Sequence, residues 1–268
     1  MKKHILLLTT GGTIACAPGG EGLEPQRSSI MERELDQLRS YYDITVKDVI
    51  CLDSSNITPE EWQLIARAIF ENRLDYDGIV VSHGTDTMAY SAAALSFMLN
   101  NLTKPVIFTG SQLPIGKIRT DGKENLIAAI EIAAAYDQEK AIVPEVCILF
   151  GDKLFRGNRT TKINAESFDA FQSFNYPALA NIGIHIHYDY SAIDYTPRTE
   201  LVSAFCDVDT NIAILKIFPG MRPEVIDAVT GIPGLKGIIL ETYGSGNAPT
   251  NKVFLNKVKE VLSKGIFV

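Results

Sequence analysis

The sequence lacks the features that mark a disulfide-bonded, zinc-binding or nucleic-acid-binding protein. Its four cysteines, Cys16, Cys51, Cys147 and Cys206, are widely separated and form no CxxC pair, which argues against a zinc knuckle or a disulfide framework. Lysine and arginine number 25 against 32 aspartates and glutamates, so the net charge of −7 provides no basic field for nucleic acid or an anionic membrane. We therefore expect free thiols in a reducing cytoplasm and small-molecule partners.

Long hydrophobic runs are also absent. No stretch approaches the ~18 apolar residues of a membrane span. The first residues, MKKHILLLTTGGTIACA, imitate a secretory signal, but a signal core needs about 7–15 apolar residues. The uninterrupted apolar stretch here covers residues 5–8, and the sequence breaks at Gly11-Gly12. We therefore expect a buried first strand at this end of the chain, and a cytoplasmic location.

What the sequence does contain is the alternation typical of an α/β protein. Of its 268 residues, 46% are apolar and 21% are charged, which is the balance of a compact folded chain. Apolar, β-branched runs lie at residues 5–8, 44–50, 78–82, 106–109 and 146–150, each followed by room for a helix or a long loop. Helices are expected to begin at Thr58-Pro59 and at Asp121. This order predicts a larger N-terminal domain over residues 1–180, with a mostly parallel sheet flanked by helices.

A smaller α/β domain is predicted to follow a connecting segment. Prolines and aromatic residues are frequent between Asn175 and Pro197, and we predict a linker over 181–210 and a C-terminal domain over 211–268. Strands of that domain are expected at residues 212–217, 237–240 and 265–268, with helices at 223–229 and 251–263. Because no helix follows the last strand to cover it, we expect this domain to be incomplete.

Ligands of parallel α/β sheets bind beyond the carboxyl ends of the strands, so the polar loops there form the candidate site. The first strand leads into Thr10-Gly11-Gly12-Thr13, where adjacent glycines let the backbone approach a ligand closely. A phosphate-binding loop would need GxxxxGK[ST] or GxGxxG, and this loop has neither pattern. By itself, the loop is more typical of a plain tight turn.

Three further loops carry polar groups. Asp53-Ser54-Ser55 follows the second strand and offers hydroxyl and amide donors suited to a carboxylate. The segment 83–87 (HGTDT) ends the third strand, and its hydroxyls and carboxylate fit either a catalytic site or a helix N-cap. The segment 156–164 contains Lys162, which burial or a neighbouring cation would turn into a proton acceptor for a hydroxyl. A solvated basic loop has the same composition.

Two histidines invite a metal interpretation. His185 and His187 would project from the same face of a strand, as paired metal ligands do. No third ligand follows at a familiar spacing, so we predict no metal site.

In their order and spacing, these segments resemble the bacterial L-asparaginase family. The matching segments are 10–15 (TGGTIA), 53–55 (DSS), 83–87 (HGTDT) and 157–162 (GNRTTK). The cytoplasmic type I branch is most similar, through 77–78 (DG), 90–98 (YSAAALSFM), 109–112 (TGSQ), 156–162 (RGNRTTK) and 243–249 (YGSGNAP). The resemblance extends over essentially the whole chain, and HGTDT together with a correctly placed TGGTIA makes it specific.

The resemblance implies hydrolysis of the side-chain amide of L-asparagine to L-aspartate and ammonia, through a threonine nucleophile and an acyl-enzyme, without a metal or an organic cofactor. Thr13 matches the family's flexible-loop nucleophile. Thr85, Asp86 and Lys162 match a second cluster, in which the lysine serves a threonine hydroxyl. Such help is needed because a threonine hydroxyl is a weak nucleophile at neutral pH. Which threonine attacks first stays open.

The resemblance also implies where the substrate binds. The implied substrate-binding residues are Gly12, Asp53, Ser54, Ser55, Gly84, Thr85, Asp86 and Asn247. Asp86 matches the carboxylate that receives the substrate's α-ammonium, whereas residues 53–55 match positions that hold its α-carboxylate end. Family members are homodimers or homotetramers in which the second domain of one subunit borders its neighbour's active site, with Asn247 as a candidate contributor. The expected partners are L-asparagine, L-aspartate and further copies of this chain.

The chain departs from the family pattern in two places. Secreted members have a tyrosine on the loop after the nucleophile, where this chain has Gly22-Leu23-Glu24-Pro25, so another tyrosine such as Tyr243 would have to replace it. Allosteric type I members are expected to have an arginine at the position of Glu241, and an anion there would repel the carboxylate of asparagine.

Two rival functions stay open at this point. One is a related amidohydrolase with glutaminase activity, because the additional methylene of glutamine is worth only about 1–3 kcal/mol in a pocket. The other is a non-catalytic protein that binds or senses an amino acid. The presence of all four candidate catalytic side chains argues against the second.

Overall fold

The computed structural model describes residues 2–19, 22–25, 31–197 and 200–268. The chain divides into two compact units, Met1–Cys206 and Asp207–Val268. No helix within the described ranges is both long enough and apolar enough to cross a membrane. Of the residues expected to form the site, all except Asn247 lie in the first unit.

The first unit alternates strands and helices in the predicted order. Its strands are β1 (His4–Gly11), β2 (Cys16–Gly19), β3 (Gly22–Pro25), β4 (Asp43–Leu52), β5 (Gly78–Ser82), β6 (Leu99–Asn100), β7 (Val106–Thr109), β8 (Tyr136–Asp137), β9 (Lys140–Ala141), β10 (Val146–Phe150), β11 (Lys153–Arg156), β12 (Thr161–Lys162), β13 (Phe171–Gln172), β14 (Ala180–Ile182), β15 (Ile186–Tyr188) and β16 (Ser203–Ala204). Its helices are α1 (Glu32–Leu38), α2 (Pro59–Asn72), α3 (Met88–Met98) and α4 (Gly122–Ala133), with short 3-10 turns at Thr13–Ala15, Ser54–Asn56 and Gly157–Arg159. The five predicted strands coincide with β1, β4, β5, β7 and β10.

One eight-stranded sheet, in the order β15-β14-β11-β10-β7-β5-β1-β4, forms the centre of the first unit. Its neighbours from β10 to β4 run parallel, which confirms the predicted mostly parallel sheet. The remaining strands, β11, β14 and β15, extend it in antiparallel fashion. Because β1 lies between β4 and β5, the carboxyl ends of these three strands lie side by side.

Both faces of this sheet are covered, as is usual for a parallel sheet. In β1, Ile5 and Leu7 belong to the core that includes residues of α1 and α4. The alternate residues Leu6 and Leu8 belong to the core that includes residues of α2 and α3. All four side chains are fully buried. The apolar run that imitates a signal core is therefore a strand buried on both faces, as expected.

The two predicted helix starts differ in how they are stabilised. At α2, the Glu61 carboxylate accepts a hydrogen bond of 2.8 Å from the Thr58 N–H, and Pro59 occupies the first helical position. At α4, Asp121 precedes the helix, but its side chain does not cap it. The Asp121 carboxylate instead accepts hydrogen bonds from the N–H groups of Gln112 and Leu113, because the loop after β7 returns to this point.

The stretch expected to be a linker, residues 181–210, is largely part of the first unit. Its beginning forms β14 and β15, which belong to the large sheet, and β14 pairs with β11 through Ala180 and Leu154. The aromatic residues on which the linker prediction rested belong to the first unit instead. Tyr176 and Tyr188 pack against the hydrophobic core on one face of its sheet. The division between the units falls after Cys206.

The second unit is α/β, as predicted. It contains a parallel pair of strands, β17 (Ile212–Lys216) and β18 (Gly237–Glu241), and two helices, α5 (Pro223–Thr230) and α6 (Lys252–Ser263). Strands and helices contribute to a core that includes Leu215, Ile226, Ile238 and Phe254. The strand expected at 265–268 is limited to a single parallel bridge between Phe267 and Gly237.

Candidate active site

Three neighbouring strands deliver the predicted polar loops to the same end of the sheet. In the sheet, Gly11 of β1 lies opposite Leu52 of β4, and Thr9 lies opposite Ser82 of β5. The Gly12 N–H donates a hydrogen bond of 3.1 Å to the Leu52 carbonyl, which ties the first loop to the second. The loops that carry Thr13, residues 53–55 and residues 83–87 therefore begin side by side.

The contact between these loops is made by glycine backbones. Gly12 has a φ of +76°, a conformation that favours glycine, and a Cβ placed on it would lie 2.4 Å from the Gly84 Cα. A Cβ on Gly84 would lie 2.5 Å from the Ser54 Oγ. Neither position has room for a side chain, so both glycines are needed for the close approach of the three loops.

Lys162 connects the two polar residues that follow Gly84. Its Nζ donates a hydrogen bond of 2.7 Å to the Thr85 hydroxyl and another of 2.7 Å to Asp86 Oδ1. Thr85 is 6% exposed and the Lys162 side chain 16%, whereas the Asp86 side chain is 63% exposed. Lys162 is therefore not a solvated surface cation, and Asp86 balances its charge while staying accessible to a ligand.

Gln112 is a component of this cluster that was not predicted as a site residue, although it lies in the matching segment 109–112 (TGSQ). The Thr85 hydroxyl donates to Gln112 Oε1 at 3.3 Å, and Gln112 Nε2 donates to the Ser167 carbonyl at 3.1 Å. The Gln112 N–H is held by the Asp121 carboxylate described above. Gln112 follows the carboxyl end of β7, and the loops after β1, β4 and β5 were predicted to form the site because they follow strands in the same way. The same argument would have predicted Gln112 as a site residue.

The loop after β4 folds into a short 3-10 turn that Asp53 stabilises. The Asp53 carboxylate accepts hydrogen bonds from the Ser55 N–H at 2.8 Å and from the Ser55 hydroxyl at 2.6 Å. These bonds favour the carboxylate and lower the pKa of Asp53 below its ordinary value. The Ser54 carbonyl accepts from the Thr87 hydroxyl at 2.7 Å, which joins this turn to the start of α3.

The first loop presents Thr13 in a short turn that is fixed at its base. The thiol of Cys16 donates to the Gly12 carbonyl at 3.2 Å, and the Ile115 N–H donates to the Ile14 carbonyl at 3.2 Å. Thr13 itself is half-buried, and within the described part of the chain its hydroxyl has no hydrogen-bond partner. The hydroxyl is thus available to a ligand.

Behind the loop of residues 83–87 lies a buried chain of hydrogen bonds. His83 is fully buried, with Nδ1 2.7 Å from the Gly84 carbonyl oxygen and Nε2 2.9 Å from the Ser91 hydroxyl. The same hydroxyl accepts from the Trp62 indole N–H at 2.9 Å. Burial lowers the pKa of His83 to about 4, because a cation is not solvated there.

Three other residues considered in the sequence belong to other elements of the fold. Asn247 belongs to the second unit, where its carbonyl accepts from the Tyr243 N–H at 2.9 Å. His185 and His187 are exposed, and His187 belongs to β15. Across the described residues, no group of three or more His, Cys, Asp and Glu side chains is arranged to hold a metal ion.

A half-buried lysine contacts a threonine hydroxyl and a carboxylate beside the carboxyl end of a parallel sheet, an arrangement that fits the site of a hydrolase. The family described as "Asparaginase, N-terminal" matches residues 4–194, and "Glutaminase/Asparaginase C-terminal domain" matches residues 211–268. The chain belongs to the asparaginase family.

Individual relatives agree with this assignment over the whole chain. L-asparaginase 1 of Escherichia coli K12 is 42% identical over 273 aligned positions, which cover 100% of this chain and 78% of that protein. The structure of L-asparaginase I from Vibrio cholerae matches with a TM-score of 0.88 and 37% identity, over 100% of this chain and 80% of that one. A probable cytoplasmic L-asparaginase from Campylobacter jejuni matches with a TM-score of 0.78 and 26% identity, over 99% of this chain and 81% of that one.

The contact between Gly12 and Gly84 predicts a sharp difference between two glycine substitutions. Gly12→Ala combines a strained positive φ with a clash against Gly84, so we expect the free energy of unfolding to fall by about 3 kcal/mol. Gly116→Ala is the matched control, because a Cβ there meets no atom within 4 Å, and we expect a change within about 1 kcal/mol. Urea unfolding monitored by circular dichroism measures both, and equal changes would contradict the proposed role of the contact.

The buried His83 predicts a loss of stability in mild acid. The unfolded chain takes up a proton at this histidine as the pH falls through 6.5, whereas the folded chain does so only at about 4. The free energy of unfolding should therefore fall across this window by about 3 kcal/mol from His83 alone. Urea unfolding at several pH values, compared between the wild type and His83→Asn, isolates this contribution. Parallel pH profiles for the two proteins would show that His83 titrates normally.

Proposed function

We propose that this protein hydrolyses the side-chain amide of L-asparagine to L-aspartate and ammonia. The observation that carries the proposal is the contact of Lys162 with both Thr85 and Asp86, at 2.7 Å each, beside the loop of Thr13. Relatives named L-asparaginase match the full length of the chain and support the choice of substrate. Thr13, Thr85, Asp86 and Lys162 are the proposed catalytic residues.

The proposed substrate position follows from charge and hydrogen-bonding capacity. Asp86 is exposed and anionic, so it suits the α-ammonium of the substrate. Ser54 offers a hydroxyl donor for the α-carboxylate. The N–H and the hydroxyl of Ser55 both donate to Asp53 here, so the Ser55 hydroxyl would turn from Asp53 to the substrate on binding. Gly12 and Gly84 are buried against each other and bring the loops of these groups close to the loop of the proposed nucleophile. Thr85 and Asn247 complete the proposed binding set.

In the proposed reaction, Lys162 acts in its neutral form: the Thr13 hydroxyl attacks the amide carbon, and its proton passes by way of the Thr85 hydroxyl to the Lys162 amine. The Lys162 Nζ and the Thr85 Oγ1 are close enough to exchange a proton, and Asp86 stabilises the cationic form of the lysine. The proton is delivered to the leaving nitrogen, and ammonia departs from the acyl-enzyme. Water then attacks the ester, releases L-aspartate and restores the Thr13 hydroxyl.

The tetrahedral intermediates carry an oxyanion that needs hydrogen-bond donors. Backbone N–H groups of the loops at Gly12 and Gly84 are suitable, because they are fixed before substrate binds and reorganise little. No metal or organic cofactor takes part in the proposed reaction. The threonine hydroxyls, the lysine and these backbone groups carry all of its steps.

We also propose a cytoplasmic location and a homodimeric or homotetrameric assembly. Cys16, Cys51, Cys147 and Cys206 are all free thiols, which is typical of a reducing compartment, and the Campylobacter jejuni relative is named cytoplasmic. The assembly is supported by the resemblance to type I enzymes. In it, Asn247 of one subunit would border the active site of its neighbour.

Ammonia release from L-asparagine tests the catalytic assignment. We expect Thr13→Ala, Thr85→Ala and Lys162→Met each to lower kcat at least about a hundredfold, because each removes the nucleophile or its proton relay. Thr13→Ser and Thr85→Ser retain the hydroxyls and are the matched controls. A wild-type protein that binds L-asparagine without releasing ammonia would favour the binding or sensing function, and equal rates with L-glutamine would favour a broader amidohydrolase.

The charge at Glu241 predicts simple saturation kinetics. Glu241 is paired with Lys216 at 2.6 Å in the second unit, so an anion stands where allosteric relatives are expected to have an arginine. Repulsion of a second asparagine carboxylate should leave a hyperbolic dependence of rate on L-asparagine. Initial rates over a wide concentration range measure this, with Glu241→Gln as the neutral control. A sigmoidal curve that Glu241→Gln abolishes would contradict the prediction.

A further inference from the structure

We propose that His83 is a positioning residue, which orients the Gly84–Thr85 peptide so that the Thr85 N–H is a donor to the reacting carbonyl oxygen. The inference rests on the proposed amide hydrolysis and concerns residues outside its catalytic set. They are His83, Ser91 and Trp62, which connect α2 and α3 to the loop of residues 83–87.

The direction of each hydrogen bond follows from what its groups can do. The Trp62 indole is only a donor, so the Ser91 oxygen accepts from it and the Ser91 proton is free to point elsewhere. The Gly84 carbonyl is only an acceptor, so His83 Nδ1 must carry a proton. In a neutral imidazole, Nε2 is then unprotonated and accepts from Ser91. The hydrogen bonds therefore run in one direction, from Trp62 to Ser91, from Ser91 to His83 and from His83 to the Gly84 carbonyl.

The imidazole is held in this state by its surroundings. His83 has no solvent-exposed surface, and its backbone N–H donates to the Thr109 carbonyl at 2.8 Å. Its ring lies against Phe108 with a centroid separation of 5.8 Å. Burial also keeps the pKa of His83 near 4, so the ring stays neutral under neutral conditions.

The Gly84 carbonyl determines where the next N–H points. The Gly84–Thr85 peptide is trans and planar, so the Thr85 N–H points away from the Gly84 carbonyl. Because that carbonyl faces the buried His83 ring, the Thr85 N–H points away from His83. No acceptor in the described part of the chain takes this N–H. Since Gly84 contacts Gly12, the free donor lies beside the nucleophile loop, where an oxyanion would develop.

A purely structural role of the same residues would have a different signature. The hydrogen bonds of His83, Ser91 and Trp62 also connect α2 to α3. Their loss therefore lowers stability whether or not they contribute to catalysis. Stability and substrate binding would then change together, with no particular effect on kcat. A donor that acts on the oxyanion affects kcat, because the charge develops in the transition state.

The test compares His83→Leu with His83→Asn in steady-state hydrolysis of L-asparagine. Leucine fills the site without a donor, whereas the asparagine amide can replace Nδ1–H as the donor to the Gly84 carbonyl. Both variants lose the bond to Ser91. We expect His83→Leu to lower kcat at least tenfold with KM within threefold, and His83→Asn to restore kcat to within threefold of the wild type. Thermal unfolding of both variants measures the structural cost that they share.

A second measurement does not depend on the folding of His83→Leu. In ¹⁵N-labelled wild-type protein at pH 7, imidazole nitrogen shifts should show His83 as the neutral Nδ1–H tautomer, with the signal assigned by its absence in His83→Asn. A protonated Nε2, or His83→Leu and His83→Asn with the same kcat, would overturn the inference while leaving the proposed function intact. A wild-type protein that releases no ammonia would contradict the proposed function itself.

Discussion

The contact between the backbones of Gly12 and Gly84 is the constraint on which the rest of the site depends. A side chain at either position would collide with the opposite loop or with Ser54. Because β1 is flanked by β4 and β5, three loops leave the sheet side by side, and the absence of two β-carbons lets them close on one another. Thr13, Ser54 and Thr85 owe their proximity to that closure.

The charged part of the site comes from a different region of the fold. Lys162 belongs to a short strand outside the large sheet, 77 residues after Thr85 and 76 after Asp86. Its side chain is only 16% exposed, and the Asp86 carboxylate at 2.7 Å offsets the cost of partial desolvation. In the proposed reaction, Asp86 also receives the substrate's α-ammonium.

Much of the fold was predictable because its strands are local features. Residues 5–8, 78–82 and 146–150 are apolar without alternation, as strands covered on both faces must be. The polar segments after β1, β4 and β5 were selected by the same reasoning, since ligands bind at carboxyl ends of parallel strands. One prediction failed where a neighbouring loop competes for the same group. Asp121 matches a helix cap, but the N–H groups of Gln112 and Leu113 take its carboxylate.

The sequence by itself determined the order of strands and helices, the motifs of the family, and the residue types available for amide hydrolysis. Those properties depend on periodicity, turn residues and short-range spacing. The tertiary structure alone decided that residues 180–188 complete the sheet, that Gln112 contacts Thr85, and that His83 supports the Gly84 carbonyl. The first two results depend on hydrogen bonds between residues that the packing of strands and helices brings together. The third joins sequence neighbours, but it depends on the burial of the His83 ring beside Ser91. A linear pattern identifies the groups that can form such bonds, but the partner is chosen by the three-dimensional arrangement of the backbone.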